Sequence, residues 1–176
     1  MPTLEHEITI DESQALSFAD ISRIVSGRIK GCSIVYCDLE TLKPPYNMSR
    51  VLGDHDCACV LLSSNLGGVL QRHWTVLLKR GKNYSFFDSL ALRFSQIDAL
   101  LGSKDFTNFL KESKCERSSR KMQEHITKVR TCGCHAAVRC AKFKLSKSEY
   151  VKWLTSSRSS TADRTVVKLC YLGLLS

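Results

Sequence analysis

The sequence lacks an apolar run long enough to cross a membrane. No stretch approaches the about 20 apolar residues that a spanning helix needs. The first residues, MPTLEHEITIDES, are acidic and mixed, which is unlike a secretory signal peptide. Internal repeats and low-complexity linkers are also missing. We therefore expect an intracellular protein, in the nucleus or the cytoplasm, that is not secreted and has no membrane partner.

The composition is typical of a folded domain. The chain has 176 residues, of which 43% are hydrophobic and 24% are charged. That is enough for one ordinary core, so we expect a single domain over residues 1–176. The nine cysteines are an odd number, and in a reducing compartment they fit free thiols better than a disulfide framework.

Positive charge is concentrated in the second part of the chain. Residues 1–100 carry 10 Lys and Arg against 11 Asp and Glu, whereas residues 101–176 carry 16 against 6. Such a field attracts polyanions, and double-stranded DNA is the partner we would expect. The basic segments are not interleaved with aromatics, which argues against a platform for single strands. A well-solvated surface is the alternative interpretation.

Hydrophobic periodicity predicts both helices and strands. Helical spacing predicts a helix over 14–28, and continuous apolar runs predict strands over 32–39 and 57–64. Further on, helical spacing returns over 95–114, with a break at Gly102. Together these elements predict an α+β fold in which helices pack on a central sheet.

The clearest local pattern is HWTVLLKRGKNYSFFDSL, which predicts a β-hairpin turning at Gly81. If Lys79 faces Tyr84, His73 would sit opposite Leu90. Because side chains alternate along a strand, Asp88 would then share a face with His73. Diagonal neighbours of this kind lie about 7–8 Å apart, so a His–carboxylate hydrogen bond is plausible. A polar pair at a sheet edge is the alternative.

The stretch TCGCH, residues 131–135, opens a predicted buried helix. The positive end of that helix would favour the thiolate of Cys132, and a neighbouring His73 would stabilise it as an ion pair. Gly133 would leave room for a substrate backbone, and the Cys132 N–H could face an oxyanion. Beyond this helix, Ser146 and Glu149 predict a capping box that opens another helix.

The order of these motifs resembles the adenovirus-type cysteine endopeptidases and their relatives, the SUMO-deconjugating proteases. The motifs are RHWTVLL, FFDSL, KMQEH and TCGCHAAVRC, and they lie within roughly residues 56–145. The family fold is a central mixed β-sheet with flanking helices, distantly papain-like. Its nucleophilic cysteine begins a buried helix.

The resemblance implies a role for each matching residue. His73 would be the general base and later the acid, and Asp88 would orient it. Cys132 would attack the scissile carbonyl, and Gln123 would donate its amide to the oxyanion. Trp74 and the glycine after the nucleophile would contact the substrate. The tryptophan would narrow a channel for small residues around the cut.

Two positions depart from the family pattern. Gln123 precedes Cys132 by nine positions, where the family usually has six or seven, and Thr131 stands where the deconjugating branch often has Asp. The compact, basic chain fits a viral or virus-like element, with viral structural precursors as substrates. The enzyme would then act in the host nucleus, the cytoplasm or the virion. The chemistry would need no cofactor, although DNA or a peptide could act as an activator.

Several alternatives remain open from the sequence. A deconjugase of a ubiquitin-like modifier would use the same residues. A chymotrypsin-like double barrel would need strands where the Ala- and Lys-rich segment after Cys132 has helical spacing. A papain-like order would need Cys32 or Cys37 as the nucleophile, and neither opens a convincing helix. Cys134 could replace Cys132, although no glycine follows it.

Two further alternatives involve no protease. A zinc site would combine two C-x-C pairs with histidines, but this spacing is poor for structural zinc, and we expect no metal. Its members would be His55, Cys57, Cys59, Cys132, Cys134 and His135. The other alternative is a basic DNA-binding or virion-structural protein without catalysis, which would show salt-dependent DNA binding and no reactive thiol.

Overall fold

The computed structural model describes residues 15–26, 32–124, 130–158 and 160–172. Seven helices and five strands are assigned in these ranges. The helices are α1 Phe18–Ser26, α2 Met48–Val51, α3 Phe94–Leu101, α4 Asp105–Glu112, α5 Cys132–Ala141, α6 Lys147–Leu154 and α7 Ala162–Leu172. The strands are β1 Ile34–Asp38, β2 Cys57–Leu66, β3 Val69–Arg80, β4 Asn83–Phe87 and β5 Glu116–Arg117.

The five strands form one mixed sheet in the order β1-β2-β3-β4-β5. The outer pairs, β1 with β2 and β4 with β5, are parallel, and the two inner pairs are antiparallel. The molecule is therefore α+β, with a central mixed sheet and flanking helices, as the sequence predicted.

Helices cover both faces of the sheet because β2 is apolar on both sides. Along this strand alternate residues enter different cores. Cys57, Cys59 and Leu61 pack with α1, α5, α6 and α7, whereas Ala58 and Val60 pack with α2, α3 and α4. A continuous apolar run fits a strand covered on both faces, which confirms the prediction for 57–64.

The β3–β4 hairpin has the predicted register at its tip, with Lys79 opposite Tyr84. The predicted pairing of His73 with Leu90 is wrong, because the last pair of this ladder is Val76 with Phe87. Beyond it the chain leaves the sheet, so the edge of β3 beside His73 is not paired with β4.

A second hairpin joins β2 to β3 and was not predicted. Gly67 and Gly68 form its two-residue turn, and both have positive φ, the conformation that this kind of turn requires. Its effect is to place His73 near the middle of a long strand, opposite Leu62. No helix among the described residues is long and apolar enough to cross a membrane.

Candidate active site

A tight turn after β4 holds the Asp88 carboxylate. The backbone N–H of Leu90 donates to Oδ1 and that of Leu92 donates to Oδ2, each at 2.9 Å. The backbone of Asp88 is fixed as well, because its N–H donates to Ser118 Oγ at 2.9 Å. Burial raises the pKa of Asp88, but the hydrogen bond and charge of His73, followed by the N–H groups of Leu92 and Leu90, favour the ionised form more strongly and hold the pKa below its usual range.

The Asp88 carboxylate engages His73 directly. His73 Nε2 and Asp88 Oδ1 are 2.6 Å apart, and both residues are buried. The hydrogen bond expected from the hairpin is thus present, although it forms across the end of the ladder rather than between paired strands. Because Nε2 is occupied, Nδ1 is left for the hydrogen bond of His73 with the Cys132 thiol.

Cys132 begins α5, where a helix concentrates its positive end. It is half-buried, so a small reagent can reach it. The backbone N–H groups of Trp74 and Gly133 also interact with the thiol and favour its ionised form. As the first helical residue, Cys132 has a backbone N–H without a partner inside the helix, and this is the donor an oxyanion would use.

The protonation of His73 and Cys132 is coupled. Burial opposes the charged form of each group, but their mutual hydrogen bond and charge attraction overcome it. The pKa of His73 is raised to about 9 against the burial that lowers it, because Asp88 and Cys132 favour the imidazolium. The pKa of Cys132 is lowered below its ordinary 9.0, against burial and because of His73. This arrangement shifts the pair toward thiolate and imidazolium.

Gln123 lies close to the turn that holds Asp88. Its backbone N–H donates to Ser89 O at 2.9 Å, and its Oε1 accepts from Ser89 Oγ at 2.7 Å. Because Oε1 is held, the amide Nε2 is left to donate, as an oxyanion site requires. The residue next to it, Glu124, donates its N–H to Asp163, which also accepts from Thr131 beside Cys132.

Trp74 and Gly133 contact the chain's own N-terminal segment. Trp74 Nε1 donates to Leu16 O at 2.9 Å. A Cβ added at Gly133 would lie 2.8 Å from Leu16 Cβ and 3.4 Å from Trp74 Cδ1. Glycine is therefore required here by close packing, and on this side the space that we expected for substrate is taken by Leu16.

Sequence reasoning missed four residues that shape the site. Ser89 and Ser118 hold the Gln123 and Asp88 segments, Leu16 covers Gly133, and Asp163 connects the segments that carry Gln123 and Cys132. Serine in the FFDSL motif was visible next to Asp88, but no spacing rule indicated its partner. The other three are distant in sequence from the residues they contact and had no local pattern.

Four of the other eight cysteines lie in two pairs. Cys32 and Cys57 have their sulfurs 3.8 Å apart, and Cys59 and Cys140 are 3.7 Å apart. Across the described ranges, no group of three or more potential ligands is arranged to hold a metal ion. His135 is buried and bonded to Asp163, whereas His125 and His6 lie outside the described residues.

No protein-family model matches the chain, and a search of curated proteins finds no significant relative. The interpretation of this site therefore depends on its geometry and on the motifs themselves.

Proposed function

We propose that the protein is a cysteine endopeptidase of the adenovirus type. The observation that carries the proposal is the chain of contacts from Asp88 through His73 to Cys132, at the start of a helix. In a base-activated nucleophile, a carboxylate fixes one imidazole nitrogen and the other nitrogen faces the thiol. A mixed sheet covered by helices is compatible with the family's architecture.

In the first half of the reaction, Cys132 Sγ attacks the scissile carbonyl carbon and the C=O electron pair moves onto oxygen. The oxyanion accepts hydrogen bonds from the Cys132 N–H and Gln123 Nε2. As the C–N bond breaks, the His73 imidazolium gives its proton to the leaving amine. The products are a thioester on Cys132, a free amine and a neutral His73.

In the second half, His73 takes a proton from a water molecule whose oxygen attacks the thioester carbonyl. The C–S bond breaks, the carboxylic acid product leaves, and the thiolate–imidazolium pair is restored. Asp88 stays ionised throughout and keeps Nε2 of His73 oriented. No metal or organic cofactor enters these steps.

The substrate proposal follows the family resemblance. Viral structural precursors with small residues near the cut are the class we favour, and a ubiquitin-like conjugate with a glycine tail is the alternative. The close approach of Trp74 to Gly133 supports a narrow passage beside the thiol, and a substrate would have to displace Leu16 from it. A glycine-containing fluorogenic peptide would test this class, because larger residues in place of glycine should be cleaved more slowly.

A basic groove supports a second role in binding polyanions such as double-stranded DNA. The groove has a volume of about 670 Å³ and lies along the β3–β4 turn and the start of α6. Its cations are Lys79, Arg80, Lys114, Lys144 and Lys147, against the acids Asp56 and Glu116. Binding should weaken steeply with salt, as released counterions require. A salt-independent affinity for duplex DNA would exclude this role.

The first test of the proposed enzyme is thiol mapping. Limiting iodoacetamide at pH 6 should label Cys132 ahead of the other cysteines, because among the described residues this is the thiol that a histidine holds below its ordinary pKa. His73→Ala should slow the labelling, and His55→Ala, a matched histidine bonded elsewhere to Leu52 O, should not. Labelling spread over several cysteines in the unaltered protein would reject an activated nucleophile.

A further inference from the structure

The first turn of α7 carries a buried carboxylate that the proposed reaction does not use. Asp163 is 3% exposed, and its side chain points toward α5 and the segment before it. It lies 39 residues from Glu124 and 32 residues from Thr131 in sequence, yet it bonds to both. Bringing together residues so far apart in sequence costs chain entropy, and the folded structure must offset this cost.

Three donors converge on this one carboxylate. The Glu124 N–H donates to Oδ2 at 2.8 Å, Thr131 Oγ1 donates to Oδ1, and His135 Nε2 donates to Oδ1 at 3.0 Å. Burial raises the pKa of Asp163, but the bonds from His135, Thr131 and Glu124 lower it further, so the carboxylate is ionised near neutral pH.

Two of the residues that Asp163 bonds, Glu124 through its backbone and Thr131 through its hydroxyl, are neighbours of the two proposed reacting groups. Glu124 follows Gln123, whose amide is the proposed oxyanion donor. Thr131 precedes Cys132, the proposed nucleophile. The distance between these groups must be held to within a fraction of an ångström for both to contact one tetrahedral oxygen and carbon.

We propose that Asp163 is a positioning residue that sets Gln123 and Cys132 at their working separation by bonding to both ends of the segment between them. We call the contacts of Asp163 with Glu124, Thr131 and His135 the clamp. The catalytic consequence of the clamp rests on the proposed function, whereas its effect on the structure does not.

The clamp depends on a charged group that accepts on both sides. In the structure both carboxylate oxygens accept, and the Glu124 N–H, the Thr131 hydroxyl and the His135 ring donate. In Asp163→Asn the charge is lost and one of the two oxygens becomes an NH₂ group, so the charge-assisted bonds are lost and one side of the clamp no longer has its acceptor. The variant keeps the size of the side chain, so it weakens the clamp with little change in packing.

The first test needs no activity. Amide hydrogen exchange of Asp163→Asn should be about tenfold faster in peptides that cover Gln123–Glu124 and Thr131–His135, since a buried bond is lost there. A matched control is Asp98→Asn, which removes another aspartate–threonine bond, to Thr107. Unchanged exchange at both segments in Asp163→Asn would overturn the clamp, whether or not the chain is a protease.

The second test separates positioning from general stability. With a fluorogenic Gly-Gly peptide amide, Asp163→Asn should lower kcat by about 10²-fold with little change in KM, as a small misplacement does. Iodoacetamide alkylation of Cys132 forms no oxyanion, so it does not depend on the position of Gln123. Its rate should therefore change less than about twofold in the same variant. Equal loss of both rates, with an intact fold, would indicate a merely structural aspartate.

A double-mutant cycle identifies the group through which Asp163 acts. If it acts through Gln123, adding Asp163→Asn to Gln123→Ala should cost little more than Gln123→Ala alone. Multiplied losses would contradict action through Gln123 and overturn the inference. An unaltered protein that neither cleaves the peptide nor labels selectively at Cys132 would reject the proposed function, while the exchange result would still decide the clamp.

Discussion

The hairpin side and the helix side of the site each carry a buried histidine bonded to an aspartate. The hairpin pair is His73 with Asp88, at 2.6 Å, and the helix pair is His135 with Asp163, at 3.0 Å. In both pairs Nε2 faces the carboxylate. The second ring nitrogen distinguishes them, because that of His73 is left for the interaction with Cys132 that raises the pKa of His73, whereas Nδ1 of His135 is buried without a partner among the described residues.

This comparison shows that a His–Asp pair alone does not define a general base. A base needs a second nitrogen that faces a group able to exchange a proton, and only the hairpin pair has one. Both carboxylates also accept backbone N–H groups, but those on Asp88 come from its own turn, whereas Asp163 bonds to Glu124 and Thr131, which lie 39 and 32 residues away in sequence. The predictions below alter one pair and use the other as reference.

The largest effect is expected for His73→Ala. Removing the base and the partner of the thiolate should lower kcat by about 10⁴-fold or more, as for other nucleophile–base units. The pH midpoint of Cys132 alkylation should also rise, because the cause of its lowered pKa is gone. Stopped-flow alkylation against pH checks this, and an unchanged midpoint would contradict the ion pair.

Asp88→Asn should cost less, about 10²-fold in kcat, since the imidazole remains but loses its anionic partner. The pKa of His73 should fall below its value of about 9, because Asp88 is a main cause of its rise. NMR titration of the imidazole protons measures this directly. If the pKa of His73 did not fall, the orienting role of Asp88 would be wrong.

The pH profile of the proposed activity should show two limits in the unaltered protein. On the acid side activity falls as Cys132 is protonated, at a pKa below the ordinary 9.0 of a thiol. On the alkaline side the imidazolium is lost through about 9, so kcat/KM should fall about tenfold for each further pH unit. Activity that keeps rising past this point would indicate an unpaired thiol.

Asp163→Ala should lower the free energy of unfolding by about 2 kcal/mol, because it leaves three buried donors unpaired. The folded pKa of Asp163 is lower than its ordinary 3.8, so its stabilisation is present above pH 3.8 and is lost as the pH falls through the folded value. Urea unfolding at pH 7 and at pH 3 should show the difference from the unaltered protein shrinking in acid.

Gly133→Ala is expected to have the smallest effect, about 1 kcal/mol of lost stability, from overpacking against Leu16. Both His–Asp pairs should be unaffected, so the pH midpoint of alkylation should stay the same. Because Leu16 Cβ is the nearest atom, adding Leu16→Gly should recover part of the loss. Thermal unfolding of the single and double variants measures this, and absence of any recovery would mean the strain lies elsewhere.

Much of the architecture could be predicted from local patterns. The apolar runs, the hairpin tip at Lys79 and Tyr84, the helix starting at Cys132 and the capping box of Ser146 all appear in the structure. Each of these follows from periodicity or from neighbours in sequence. The β2–β3 turn was missed because Gly67–Gly68 was taken as a break after the strand.

The parts of the site that join distant segments could not be predicted in this way. The hairpin pattern predicted that His73 and Asp88 lie close together, because the turn fixes which residues of the two strands are neighbours. It could not show that β4 ends at Phe87 and that the Asp88 carboxylate is fixed by a turn. Contacts such as Asp163 with Glu124 depend on how helices pack, and a single sequence carries no periodic trace of them.

The place of Asp163 in the chain bears on when the protein could first act during its own synthesis. Chains fold from the N-terminal side as they emerge from the ribosome. A nascent chain that has released the hairpin and α5 already carries His73, Asp88 and Cys132, but not the carboxylate on α7 that joins the two segments. We expect such a chain of the proposed protease to have much lower activity until α7 emerges, which would delay proteolysis without a removable inhibitor.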